Sequence, residues 1–251
     1  MRTLKLTIAY DGTRYAGWQV QKTSRRQATI QGTLESVLHQ ILQEPVRVVG
    51  SGRTDAGVHA VAQVAHVRTR SAMPGRRLLR SVNRLLPPDV TVTRVEDAGE
   101  TFHARFDAIR KRYRYRLFTG EAVPPFIRPY VHQVSAPLSL ARMRREAFAL
   151  RGRHDFQAFA RSGGIGRTTR REITAIQLRR QGPEIHLDIE GNGFLHTMVR
   201  TIAGTLADVG RGHLPAGTVR RMLRTKRREL AGTVAPARGL TLVSVEYPAH
   251  G

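Results

Sequence analysis

The stretches LKLTIAYDG (Leu4–Gly12) and IQGTLESVLHQIL (Ile30–Leu42) decide the fold class. In the first, Leu4, Leu6 and Ile8 alternate with Lys5 and Thr7, the period of a half-buried strand, and Asp11-Gly12 ends it. In the second, Ile30, Leu34, Val37, Leu38, Ile41 and Leu42 recur at helical spacing, giving one apolar face that stops before Pro45. Working outward, a short strand is expected at Val46–Val49, then the turn-rich SGRTDAG, then a strand over Ala60–Arg68. Leu78, Leu79, Val82, Leu85 and Leu86 mark a second helix closed by Pro87-Pro88, and Val90 and Val92 alternate with Thr91 and Thr93 in a further strand. The order is β-α-β-β-α-β, the split unit of a ferredoxin-like half.

The same order recurs in the rest of the chain. An extended stretch is expected from Phe106 to Phe118, with Tyr113, Tyr115 and Leu117 on one face and Arg112, Arg114 and Arg116 on the other. Helices are expected at Leu140–Leu150, Phe194–Val209 and Val219–Arg228. Strands at Ile173–Arg180 and Ile185–Glu190 flank Gly182-Pro183 as a hairpin, and a last strand covers Leu240–Tyr247. The expectation is an α+β protein of two ferredoxin- or RRM-like halves, residues 1–104 and 105–251, whose antiparallel sheets join around a central cleft.

Composition narrows the chemistry. The 251 residues are 40% hydrophobic, enough for a proper core. Lys and Arg number 42 against 19 Asp and Glu, a formal charge of +23 that attracts polyanions and points to nucleic acid or an anionic surface as partner. The chain has no cysteine, which excludes disulfides, thiolate zinc sites, thiol nucleophiles and cysteine-ligated clusters. Lys5 interrupts the first apolar run, so no signal peptide is indicated, and no apolar run reaches the ~18 residues of a membrane span. A P-loop is absent, Gly164-Ile165-Gly166 lacks the third glycine of a dinucleotide loop, and Gly50-Ser51-Gly52 is not a nucleophile elbow. The ten histidines lack metal-ligand spacing.

Three features remain. GRTDAGVHA (Gly52–Ala60) places Asp55 on a loop between two strands, with Arg53 two residues before it. Glycines there allow a tight turn and close approach of a large substrate, and a nearby cation keeps a carboxylate ionised, as a nucleophile or base requires. The bland reading is an ordinary Asp-Gly turn. In KRYRYR (Lys111–Arg116) the tyrosines can stack on an unpaired base while the arginines hold phosphates, or the tyrosines can be core and the arginines a solvated face. Arg200, within FLHTMVRTIAGTL, needs a partner if it is buried, and otherwise marks a solvent-facing turn of the helix.

Taken together, DGTRYAGWQVQ (Asp11–Gln21), TIQGTLE (Thr29–Glu35), GRTDAGVHA, FHARF (Phe102–Phe106), KRYRY (Lys111–Tyr115), MVRTIAG (Met198–Gly204) and VAPARGL (Val234–Leu240) resemble the tRNA pseudouridine synthase A family, in that family's order and across nearly the whole chain. The resemblance implies a two-lobed fold, usually a homodimer, in the cytoplasm. It also implies isomerisation of uridine to pseudouridine at positions 38, 39 and 40 of the tRNA anticodon arm, without metal or organic cofactor. It assigns Asp55 as catalytic carboxylate, Tyr113 as the residue packing on the target base, Arg200 as partner of the aspartate and Arg53 as a holder of the flipped nucleotide. Extrusion of that base follows from geometry, because the C1′–N1 bond is not workable within a stacked stem.

The chain departs from the family pattern at Thr241, where Tyr is usual, which bears on local packing. The Gly- and Arg-rich loop Ser162–Arg170 carries no transferable RNA contacts. The competing reading is a non-catalytic tandem RRM-like RNA-binding protein, although the RNP1 pattern is absent. Either reading makes RNA affinity electrostatic. Affinity for a tRNA transcript is expected to fall at least about tenfold between roughly 50 and 200 mM salt. A flat profile in a filter-binding titration would contradict the polyanion argument.

Overall fold

The computed structural model describes residues 1–20, 27–161 and 168–248. The chain divides into two compact units, Met1–Ile109 with Leu242–Gly251, and Arg110–Thr241. Each unit is α+β. Among the described residues no helix is long and apolar enough to cross a membrane.

In the first unit, β1 (Arg2–Tyr10) buries Leu4, Leu6 and Ile8 as their alternation requires. Helix α1 (Ile30–Leu42) starts where the Thr29 hydroxyl accepts the Gly32 N–H at 3.2 Å, and it buries Ile30, Leu34, Val37 and Leu38. Then come β2 (Val49–Gly50), β3 (His59–Thr69), α2 (Gly75–Leu85) and β4 (Val90–Ala98). Helix α2 turns Leu78 and Val82 inward and leaves Arg76, Arg77, Arg80 and Arg84 in solvent. The Asn83 amide locks α2 to β4, donating to the Val92 carbonyl at 2.8 Å and accepting the Val92 N–H at 2.9 Å. Strands run in the order β4-β1-β3, with β2 and the last strand, β10 (Leu240–Glu246), also neighbouring β3. Leu6 faces Ala65 on one side and Val95 on the other. The β-α-β-β-α-β expectation holds here, with one correction. The strand expected at Val46–Val49 shrinks to Val49–Gly50, because the Val48 N–H donates to Glu35 Oε1 at 2.9 Å and not to a neighbouring strand.

The second unit contains β5 (Arg110–Phe118), β6 (His132–Gln133), α3 (Leu140–Phe148), β7 (Gly152–Asp155), β8 (Arg170–Gln181), β9 (Glu184–Gly191), α4 (Met198–Gly210) and α5 (Thr218–Thr225). Its sheet order is β5-β9-β8-β7, with β6 parallel to β5. The β8–β9 hairpin turns at Gly182-Pro183 as the sequence indicates. Extended structure starts at Arg110 and not Phe106, because residues 99–107 turn back on themselves through Phe102 N–H to Gly99 O and Asp107 N–H to His103 O. Helix α4 starts at Met198 and not Phe194, because Thr197 takes the left-handed conformation (φ 61°). Buried Glu146 accepts the Gly217 and Val219 N–H groups at 2.6 and 2.9 Å, satisfying the first orphan donors of α5. The edge strand β7 and the pair β6 were not anticipated; at four and two residues they carry no readable periodicity.

One buried group ties the stability of the first unit to pH. His66 on β3 is 5% exposed, and its Nδ1 accepts the Ala104 N–H at 3.1 Å, which requires the neutral ring. Burial, aided by the charges of His103 and Arg68, pushes its pKa down from 6.5 to about 4. Protonation therefore favours the unfolded chain. Its contribution to stability is complete above about pH 6.5 and is lost as pH falls towards 4. In urea titrations His66→Gln, whose amide oxygen can accept the same N–H but does not titrate, is expected to flatten this decline. An unchanged slope between pH 7 and 4.5 would refute the assignment.

Candidate active site

The Asp55 loop joins β2 to β3, and its lower side is a buried polar floor. Ser51 is fully buried, and its hydroxyl donates to Gln63 Oε1 at 2.7 Å. The Gln63 amide in turn donates to the Gly52 carbonyl at 3.1 Å. The Thr54 hydroxyl lies 2.8 Å from the Tyr10 hydroxyl, and burial pushes the Tyr10 phenol up to about 12. The Ser51 N–H reaches Val64 O at 2.7 Å, and the Val58 N–H closes the turn on Asp55 O at 3.1 Å. Gly57 makes the turn at φ 77°, a conformation other residues adopt only at a cost. Ser51 and Thr54 thus anchor the loop from below, while Asp55 is half-buried and Arg53 exposed.

The segment Asp11–Trp18 braces the loop from the side. The Trp18 N–H donates to Thr54 O at 3.1 Å. Gly17, at φ 93°, lies so close that a Cβ there would sit 2.6 Å from Thr54 O. His59 Nδ1 lies 3.1 Å from both the Gly12 nitrogen and Asp11 Oδ1. Farther out, Asp89 accepts the Tyr15 hydroxyl at 2.7 Å and two Arg14 N–H groups at 2.9 and 2.6 Å. Burial works to raise the Asp89 pKa, but these hydrogen bonds outweigh it and hold the group below the usual carboxylate range. The brace also meets α1, through Gln31 N–H to Trp18 O and Ile30 N–H to Gly17 O.

Tyr113 and Arg200 belong to the second unit. Tyr113 on β5 is 7% exposed and meets Phe194 edge-to-face, with ring centroids 5.2 Å apart. Fully buried Tyr115 donates its hydroxyl to Pro236 O at 2.8 Å and fills the space left by the missing side chain of Gly239. The two open readings of KRYRYR divide between its residues. Arg114 forms a two-pronged pair with Asp188 (2.8 and 3.1 Å), and Arg116 forms one with Glu184 (2.8 and 2.8 Å). These two arginines are cross-strand partners of β9 carboxylates, so the phosphate-holding reading is corrected for them. Arg200 lies in the first turn of α4, half-buried, and its Nε donates to Ala235 O at 2.8 Å. The Ala235 N–H returns to Arg200 O at 3.2 Å, so VAPARGL fixes this side chain through its backbone.

Asp55 and Arg53 therefore share one loop of the first unit, and Tyr113 and Arg200 lie in the second unit. Residues 162–167 of the Ser162–Arg170 loop lie outside the described residues. Sequence reasoning missed the polar floor. Its signal is a reversal on β3, where Val61 is 59% exposed and Gln63 is fully buried. A carboxylate presented on a fixed loop suits nucleophilic or base chemistry, where misplacement by an ångström is costly.

The profile of the family described as tRNA pseudouridine synthase matches residues 6–107 and 147–248. The tRNA pseudouridine synthase A of Acetivibrio thermocellus is 41% identical over 247 residues, which cover 98% of this chain and 100% of that one. The tRNA pseudouridine synthase A of Limosilactobacillus fermentum is 42% identical over 252 residues, covering 98% and 96%. Among solved structures, the crystal structure of a Cbf5-Nop10-Gar1 complex aligns with 95% of this chain and 48% of that one at 10% identity and a TM-score of 0.38, too distant to add to the argument. With the profile spanning most of the sequence and relatives this similar over nearly all of it, the chain belongs to the tRNA pseudouridine synthase family.

Proposed function

We propose that this protein isomerises uridine to pseudouridine at positions 38, 39 and 40 of the tRNA anticodon arm, with Asp55 as its catalytic carboxylate. The observation that carries this reading is the fixed presentation of Asp55, on a loop held below by Tyr10, Ser51 and Gln63 and at its side by Gly17 and Trp18. Family membership supplies the reaction class. The target uridine leaves the stack, its C1′–N1 bond breaks, the base turns, and C1′ rejoins at C5. The hydrogen on C5 departs as a proton and N1 gains one, so the reaction is an isomerisation with no net change in atoms. Asp55 acts on the ribose, as a nucleophile at C1′ or as a base on a ribose proton, and both routes need an ionised, immobile carboxylate.

We assign Tyr113 to packing on the target base, Arg200 to balancing the charge of the catalytic carboxylate, and Arg53 to holding the extruded nucleotide. The catalytic aspartate thus belongs to the N-terminal half and the Tyr and Arg motifs to the C-terminal half. The exposed arginines of α2 and the exposed Arg220, Arg221 and Arg224 of α5 supply cations for phosphate contacts. Homodimerisation and a cytoplasmic location complete the proposal by analogy with the family. A non-catalytic tandem RRM-like module accounts for the charge and the element order, but it leaves the likeness to synthases over nearly the whole chain unexplained.

Tritium release from tRNA labelled at uridine C5 tests the assignment, since C5 loses its hydrogen only when the base is rejoined there. Wild-type protein is expected to release tritium. Asp55→Ala is expected to release more than about 1,000-fold less, with tRNA affinity within about threefold of wild type. Undiminished release by Asp55→Ala would remove Asp55 from the mechanism. No release by either protein, with tight binding retained, would favour the binding module.

A further inference from the structure

The FHARF motif (Phe102–Phe106) has no part in the chemistry assigned above, yet its geometry is unusual. Phe102 and Ala104 are buried, at 3% and 0% exposure, and pack with Val64 and Tyr247. Phe106, two residues on, is 74% exposed. An exposed ring on a loose loop would mean little, but this turn is fixed at many points. The His103 N–H donates to Asp107 Oδ2 at 2.8 Å, and the Asp107 N–H returns to His103 O at 3.0 Å. His103 Nδ1 faces the N–H groups of Arg105 and Phe106 at 3.1 and 3.3 Å. The Ala104 N–H is held by His66, and the Ala104 carbonyl accepts the Tyr247 hydroxyl at 2.7 Å.

The ring itself is also supported. His103 stacks on Phe106 with centroids 4.2 Å apart and planes at 28°, and the Arg105 guanidinium lies 5.7 Å from the ring centroid. We propose that Phe106, backed by His103 and flanked by Arg105, is a stacking site for an unpaired base of the RNA substrate. An immobile aromatic ring offers a π-face at little entropic cost, and every base can use it. The adjacent guanidinium selects for an anionic partner, which favours a nucleotide over an apolar protein surface. The site is separate from the Asp55 loop in sequence, although the two meet at Val64, which packs on Phe102 and Ala104 and whose carbonyl accepts the Ser51 N–H. It rests on the reading of tRNA as substrate but not on the identity of the catalytic residue.

The test compares Phe106→Ala with Phe106→Trp by binding of an unmodified tRNA transcript, with sedimentation velocity run on the same proteins. Because the side chain is exposed, both variants are expected to keep the wild-type thermal midpoint. Loss of one base–aromatic stack should weaken tRNA binding about 5- to 150-fold in Phe106→Ala. Phe106→Trp should bind within about threefold of wild type. Its added indole fluorescence should be quenched by tRNA, against the background of the buried Trp18, which is 3% exposed. Affinity of Phe106→Ala within twofold of wild type, or an introduced indole that tRNA leaves unquenched, would overturn the proposal. So would a fall in oligomeric state with affinity unchanged, which would give the ring to a second copy of the chain. If Phe106→Ala loses affinity while wild-type protein releases no tritium, the stacking site stands and the synthase reading fails.

Discussion

The 2.8 Å contact between the Tyr10 and Thr54 hydroxyls, with the neighbouring Ser51–Gln63 pair, is the constraint on which the candidate site depends. These groups are almost wholly removed from water, so each unmade hydrogen bond would cost about 1–3 kcal/mol. A shift of the loop by an ångström would break several of them together. The Asp55 loop is therefore held by penalties for leaving its place, and not only by attractions within it. Glycine gives the same result from the other side: Gly17 lets the backbone of the brace approach Thr54 more closely than any residue with a Cβ allows.

The second unit solves a similar problem with a helix. Helix α4 is buried along almost its whole length, and Asp208, the hydroxyl of Thr205 and the backbone of Arg200 all bond the segment 232–235 that crosses it. A half-buried guanidinium near the start of that helix is oriented by a carbonyl that the same crossing segment supplies. The β5–β9 ion pairs, by contrast, serve the sheet. Two-pronged Arg–carboxylate pairs fix strand register and leave Arg114 and Arg116 with little capacity for a phosphate. The 42 Lys and Arg thus overstate the cations that RNA can reach, a cancellation already contained in the net +23.

Much of this was legible in the sequence because single periods spoke clearly. Strand β1 and helix α1 fall where alternation and helical spacing place them, and the β8–β9 hairpin turns where Gly182-Pro183 demands. Most of the failures share a cause, a local signal overridden by a partner elsewhere in the chain, and one, at Thr197, is a local backbone conformation. Glu35 takes the Val48 N–H and shortens β2. Thr197 delays α4 although Leu195 keeps the helical spacing. The arginines of β5 read as free cations because nothing in a linear pattern announces Asp188 or Glu184. The polar floor was hidden for the same reason, since Gln63 inside a strand reads as a solvent-facing position until its partners are known.

The most direct test of this account is single-turnover pseudouridine formation by Thr54→Val, which keeps the shape of the side chain and removes only the hydroxyl that meets Tyr10. The floor predicts a rate about 10- to 100-fold below wild type, with tRNA affinity unchanged, because a displaced carboxylate loses its alignment with the ribose. A wild-type rate in a folded Thr54→Val protein would contradict it, and would mean that Asp55 is positioned without the buried network beneath its loop.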